Sequence, residues 1–172
     1  MKRMRTQVAI IGAGPAGSLL SLLLKRHGID SVVIERQTKD YVLERIRAGI
    51  LEWTSVEILR AAGLGQRLDV EGHGHNSVKL AWRAEEMLSV DFERLAGKPM
   101  MAYGQTKVQQ DLYAAAEAEG VSIIYGATDV DIHDVTSDRP WITFTANGES
   151  ERLDCDYVAG CDGQHGISRT AI

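Results

Sequence analysis

Gln7-Val8-Ala9-Ile10-Ile11-Gly12-Ala13-Gly14-Pro15-Ala16-Gly17 is the stretch whose reading decides the fold. Gln7 to Ile11 is a continuous apolar run that reads as a buried strand, and the glycines stop it at once. Ser18 to Arg26 carries leucines suited to a buried helix, which Gly28 can terminate. Ser31 to Glu35 is a second β-branched run, so a βαβ unit is expected, with a right-handed crossover and parallel strands.

The glycines fit the G-x-G-x-x-G pattern between a strand and a helix. Gly12 permits the tight turn, Gly14 lets backbone approach a pyrophosphate, and Gly17 lets helix pack closely on strand. Such a string alone is weak evidence, because a glycine-rich turn can also be without function. Its required partner is present: Glu35 closes the second strand near the roughly 20-residue spacing at which an acid binds adenosine ribose hydroxyls. A carboxylate there repels a 2′-phosphate, which leaves FAD or NAD as the nucleotide of this crevice.

Working outward, Gln37 to Gly49 is irregular and arginine-rich, a loop leading to an amphipathic helix over Leu51 to Ala62. Ser77 to Trp82 and Leu88 to Phe92 should pair as an antiparallel excursion across Arg83 to Glu86. Thr106 to Glu119 reads as a helix delivering the strand Val121 to Tyr125 back to the parallel sheet. Strands near Asp129 to Val135 and Trp141 to Ala146 follow, the second meeting the hairpin signal Asn147-Gly148. A last strand over Arg152 to Ala159 enters Gly160-Cys161-Asp162-Gly163. The expected class is α/β, a Rossmann-like βαβ with a parallel sheet plus antiparallel strand excursions, and no linker divides the chain.

Composition narrows the partners. The 172 residues are 44% hydrophobic and 25% charged with formal charge -5, which gives no electrostatic reason to expect nucleic acid or anionic membrane. The basic opening Met1 to Arg5 resembles the start of a secretory signal, but Gly12, Gly14, Pro15 and Gly17 break the apolar stretch that follows. A cytoplasmic location is the default. Were the segment between Cys155 and Cys161 one strand, it would hold them roughly 20 Å apart, too far for a disulfide. Both are expected as reduced core residues.

The segment Tyr157-Val158-Ala159-Gly160-Cys161-Asp162-Gly163-Gln164-His165-Gly166-Ile167-Ser168-Arg169 resembles the class A FAD-dependent aromatic hydroxylases. An ordinary strand-to-turn corner is the alternative for Asp162-Gly163 taken by itself. Together with Val33 to Glu52, Tyr103-Gly104-Gln105-Thr106 and the opening glycines, the chain is similar to the 4-hydroxybenzoate 3-monooxygenase family along essentially its whole length.

The resemblance implies FAD in the crevice, lined by Gly12, Gly14, Ala16, Gly17, Glu35, Arg45, Ile46, Arg47, Ala48, Gly49 and Ile50, with Gln105 on the flavin side and Asp162 and Gly163 completing the site. Guanidinium forks suit phosphate oxygens. The resemblance further implies NADPH held by Arg36, Gln37, Tyr41, Arg45, His165 and Arg169, and a proton relay ending at His75. An imidazole titrates near neutrality, as a relay needs; a histidine in a Gly-His-Gly-His loop can also be just a loop residue. Ala16 departs from the serine common in relatives, which removes one side-chain hydrogen bond and leaves the backbone cradle.

The implied reaction is hydroxylation of 4-hydroxybenzoate by O2 and NADPH to 3,4-dihydroxybenzoate. The family's substrate-binding sheet, second FAD segment and C-terminal helices would lie beyond Ile172, so residues 1–172 are expected to be the FAD-binding portion, with the substrate domain outside the chain and a homodimer for the full-length protein. A related hydroxylase of another phenol and a non-catalytic nucleotide-binding fragment stay open as alternatives.

Overall fold

The computed structural model describes residues 1–45, 49–83 and 85–171, which divide into two compact units, Met1–Arg45 with Gln109–Ile172, and Ile46–Val108. In chain order the elements are β1 (Lys2–Arg5), β2 (Val8–Ile11), α1 (Pro15–Arg26), β3 (Ser31–Ile34), α2 (Lys39–Glu44), β4 (Ile50–Leu51), α3 (Trp53–Ala61), α4 (Gly65–Glu71), β5 (His73–His75), β6 (Ser77–Trp82) and β7 (Glu85–Asp91). Then come α5 (Phe92–Ala96), β8 (Met100–Ala102), α6 (Gln105–Ala118), β9 (Ser122–Ile124), β10 (Thr128–His133), β11 (Trp141–Ala146), β12 (Glu149–Asp154), β13 (Tyr157–Gly160) and a 3-10 turn, Ile167–Arg169.

The first unit is built on a parallel sheet of order β13-β2-β3-β9. Ala9, Ile10 and Ile11 of its inner strand are buried, as a strand covered on both faces requires. On one face Ala9, Ile11 and Ile34 meet Ile142, Phe144, Ala146 and Leu153 of a second sheet, ordered β1-β12-β11-β10, together with Cys155 just past the end of β12. On the other, Ile10, Ala13 and Val33 pack with Tyr113 of α6. Strand β2 leads through α1 to β3 on one side, while β13 arrives on its other side, so a topological switch point lies at the carboxyl end of β2.

Several boundaries differ from the sequence expectation. Helix α1 starts at Pro15, three residues before the leucine run, because proline at the first helical position has its φ preset and no amide to satisfy. Inside the segment read as loop, Thr38 caps α2 by accepting a hydrogen bond from the Tyr41 amide. The last expected strand is two strands in different sheets. Strand β12 pairs antiparallel with β11, then the Asp156 and Tyr157 amides donate to the Gln7 carbonyl and the chain enters the parallel sheet as β13. Asn147 (φ 52°) and Gly148 (φ 79°) form the expected tight hairpin turn.

Cys155 therefore sits buried on the crossing between the sheets, Cys161 is half-buried just past the end of β13 and so is not the core residue expected, and both are free thiols. Burial pushes the Cys155 thiol up to about 11. Among the described residues no helix is long and apolar enough to cross a membrane.

The second unit contains the three-stranded sheet β4-β8-β5 and the expected antiparallel hairpin of β6 with β7, in which β7 begins at Glu85, inside the expected turn, and ends at Asp91 before Phe92 opens α5. Val56 and Leu59 of α3 and Leu68 of α4 are buried. Helix α4 and strands β4, β5 and β8 went unforeseen, since each is too short to display a period.

The basic opening is edge strand β1, parallel to β12. Arg3 donates to Asp154 at 2.5 Å and Arg5 to Asp156 at 2.5 Å. The hydrogen bond from Arg3, helped by Arg152, holds the Asp154 carboxyl below the usual carboxylate range. A depressed folded value means the contribution is complete above the unfolded value and fades as pH falls through the folded one. Asp154→Asn should therefore lose stability at neutral pH and show a shallower further loss below about pH 4, as measured by urea unfolding across pH.

Candidate functional site

The turn after β2 is pinned at successive atoms. The Gly12 amide donates to the Ile34 carbonyl at 2.8 Å, and the Ala13 amide donates to Glu35 Oε2 at 2.8 Å. Glu35 Oε1 accepts from the Gln37 amide at 2.8 Å. The glycines and the acid are thus joined directly, and each carboxylate oxygen, with one such bond, keeps capacity to accept another.

The Ala13 carbonyl points into the protein and accepts from Ser18 Oγ at 2.9 Å, Gln109 Nε2 at 3.1 Å and Tyr113 Oη at 2.9 Å. Reading Thr106 to Glu119 only as a helix did not mark Gln109 and Tyr113. The signal was present as Gln109, Leu112, Tyr113 and Ala116, a run at helical spacing whose members are all buried.

Gly12 and Gly17 each have a distinct steric reason. Gly12 has φ +101°, and a Cβ there would sit 2.6 Å from the Cys161 carbonyl oxygen, so the Cys161-Asp162 backbone lies directly against it. A Cβ on Gly17 would lie 1.9 Å from the Gly12 oxygen. Gly14 is different: nothing among the described residues lies within 4 Å of its Cβ position, and it caps α1 with no side-chain hydrogen bond. Ala16 is exposed in the first helical turn, whose leading amides have no intrahelical acceptor.

Beside this turn, Asp162 Oδ2 accepts from the Ser168 amide and hydroxyl, both at 3.0 Å. A Cβ on Gly166 would overlap the Asp162 carboxylate, and Gly163 takes φ +79°. Asp162 thus organises the loop that touches Gly12, while His165 and Arg169 stand exposed on it. Arg36 and Tyr41 are exposed, Gln37 is half-buried, and Arg45 is the exposed C-cap of α2.

In the second unit, the Gly49 and Gln105 segments are neighbours. Ile50 pairs with Ala102, the Tyr103 amide donates to the Gly49 carbonyl at 2.7 Å, and a Cβ on Gly49 would be 3.0 Å from Gly104 Cα. Ile50 is exposed and Gln105 opens α6. His75 is exposed on β5, opposite Met100. Ile46, Arg47 and Ala48 lie outside the described residues.

Residues 5–172 match the family model described as FAD binding domain. The chain belongs to that family. Over 173 aligned residues it is 44% identical to the p-hydroxybenzoate hydroxylase of Acinetobacter baylyi, covering 100% of this chain and 42% of that protein. It is 30% identical to the rifampicin monooxygenase of Streptomyces venezuelae, covering 96% of this chain and 33% of that protein. Among solved structures, BexE, studied for oxidation during BE-7585A biosynthesis, superposes with TM-score 0.80 at 28% identity, covering 98% of this chain and 34% of that one. The chain spans between a third and about two-fifths of the length of these curated relatives.

The residues of this FAD binding domain fit an adenine dinucleotide. Glu35 offers acceptors suited to ribose hydroxyls, and the bare Gly14 position with uncapped helix amides suits a pyrophosphate. Two glycine variants should separate folding from binding. Gly17→Ala forces turn and helix apart and should cost about 3 kcal/mol or more in urea unfolding. Gly14→Val should keep the unfolding midpoint of the FAD-free parent and lose FAD on gel filtration; retained flavin would contradict the assigned cradle.

Proposed function

We propose that the protein carrying this chain is an FAD- and NADPH-dependent monooxygenase converting 4-hydroxybenzoate to 3,4-dihydroxybenzoate, with this chain as its FAD-binding part. The supporting observation is 44% identity to p-hydroxybenzoate hydroxylase along the whole chain. One oxygen atom of O2 enters the ring ortho to the phenol, the other leaves as water, and NADPH with one proton supplies the two electrons. Bound FAD supplies the redox and oxygen-activating chemistry.

The chain's own contribution is binding and orientation. Glu35 holds the adenosine end, and the Gly14 and first-turn amides of α1 orient the pyrophosphate. Ile46, Arg47, Ala48, Gly49, Ile50 and Gln105 are proposed for the remainder of FAD, with Asp162 and Gly163 shaping the loop beside Gly12. Arg36, Gln37, Tyr41, Arg45, His165 and Arg169 are proposed for NADPH, their cations serving the phosphate that Glu35 would repel. His75, exposed on β5, is proposed to pass the phenol proton to solvent. Free thiols accord with the cytoplasm as the compartment.

NADPH oxidation followed with and without 4-hydroxybenzoate tests this. Expected is stimulation by the phenol, with one 3,4-dihydroxybenzoate formed per NADPH consumed. Unstimulated oxidation, or product only from a different phenol, would overturn the substrate assignment.

A further inference from the structure

Of the three amides in the Gly12-Ala13-Gly14 turn, two are committed: Gly12 to the Ile34 carbonyl and Ala13 to Glu35. The Gly14 amide alone has no acceptor among the described residues, and Gly14 is only half-buried. What fixes its direction is the other end of the same peptide unit. In a trans peptide the carbonyl and the following N–H point opposite ways, so donors that draw the Ala13 carbonyl inward aim the Gly14 N–H outward.

Three donors do this: Ser18 from α1, and Gln109 and Tyr113 from α6. Gln109 also donates to Ser18 Oγ at 3.1 Å, which joins the donors into one cluster. Gln109 is only 2% exposed, and its Oε1 has no hydrogen-bond partner among the described residues. The reversed amide would set that oxygen against the Ala13 carbonyl, so the donor must face the turn. Burial, with Tyr125 beside it, raises the Tyr113 hydroxyl far above the ordinary phenol range, so it remains a donor.

We propose that Gln109 and Tyr113 are positioning residues for the phosphate cradle: they clamp the Ala13 carbonyl so that the Gly14 amide is presented, ready-oriented and polarised, to a pyrophosphate oxygen. Donors on the carbonyl strengthen the N–H of the same peptide as a donor, and a preset direction removes an ordering cost at binding. The inference rests on FAD occupying this turn and deepens that assignment, because it places affinity in side chains that do not touch the ligand.

The test is FAD titration of the intact chain by quenching of flavin fluorescence, for the parent, Gln109→Met and Tyr113→Phe, with thermal melts of each FAD-free protein. Met fills the volume without a donor, and Phe removes one hydroxyl. Expected is a Kd raised about tenfold in Gln109→Met and at least about threefold in Tyr113→Phe, with melting temperatures within about 3 °C of the parent. Parent-like Kd values, or lowered melting temperatures at unchanged Kd, would overturn the positioning role and leave the FAD assignment standing. A parent that takes up no FAD would instead overturn that assignment and this one with it. Should Gln109→Met fail to fold, Tyr113→Phe decides alone.

Discussion

A hydrogen bond from one backbone amide to one carboxylate oxygen, Ala13 N–H to Glu35 Oε2, ties the turn after β2 to the end of β3. A charged acceptor makes it stronger than a neutral pair. The glycines are useful only because this tie holds them beside the acid. Gly12 then admits the Cys161-Asp162 backbone, and Gly17 brings α1 onto the turn. The cradle and the loop carrying Asp162 are thus brought together at the carboxyl ends of β2 and β13.

The surrounding layers make that geometry rigid. Strand β2 is buried on both faces, between the helices and the second sheet, so its carboxyl end has little freedom. Helix α6 adds Gln109 and Tyr113 beneath the turn. Asp162, engaged by Ser168, shapes the neighbouring loop and leaves Oδ1 without a hydrogen bond among the described residues.

Much of this was legible from local chemistry. The βαβ unit, the Glu35 partnership, the β6–β7 hairpin and the Asn147-Gly148 turn each carry their signal within one contiguous stretch of the chain. What escaped depends on distant parts of the chain. Strand β1 exists because Lys2–Arg5 finds β12 some 150 residues away, and the break between β12 and β13 arises because Gln7 and Pro140 capture the amides there. Glutamine is usually exposed, so Gln109 carries no signal of its own; only the buried neighbours Leu112, Tyr113 and Ala116 mark its face.

The most direct measurement is a crystal structure of the chain with FAD bound. The account predicts adenosine ribose hydroxyls on the Glu35 carboxylate and a pyrophosphate oxygen on the Gly14 amide, with the Ala13 carbonyl still directed at Gln109 and Tyr113. Flavin seated away from this turn, or a Glu35 carboxylate remote from the ribose, would contradict it.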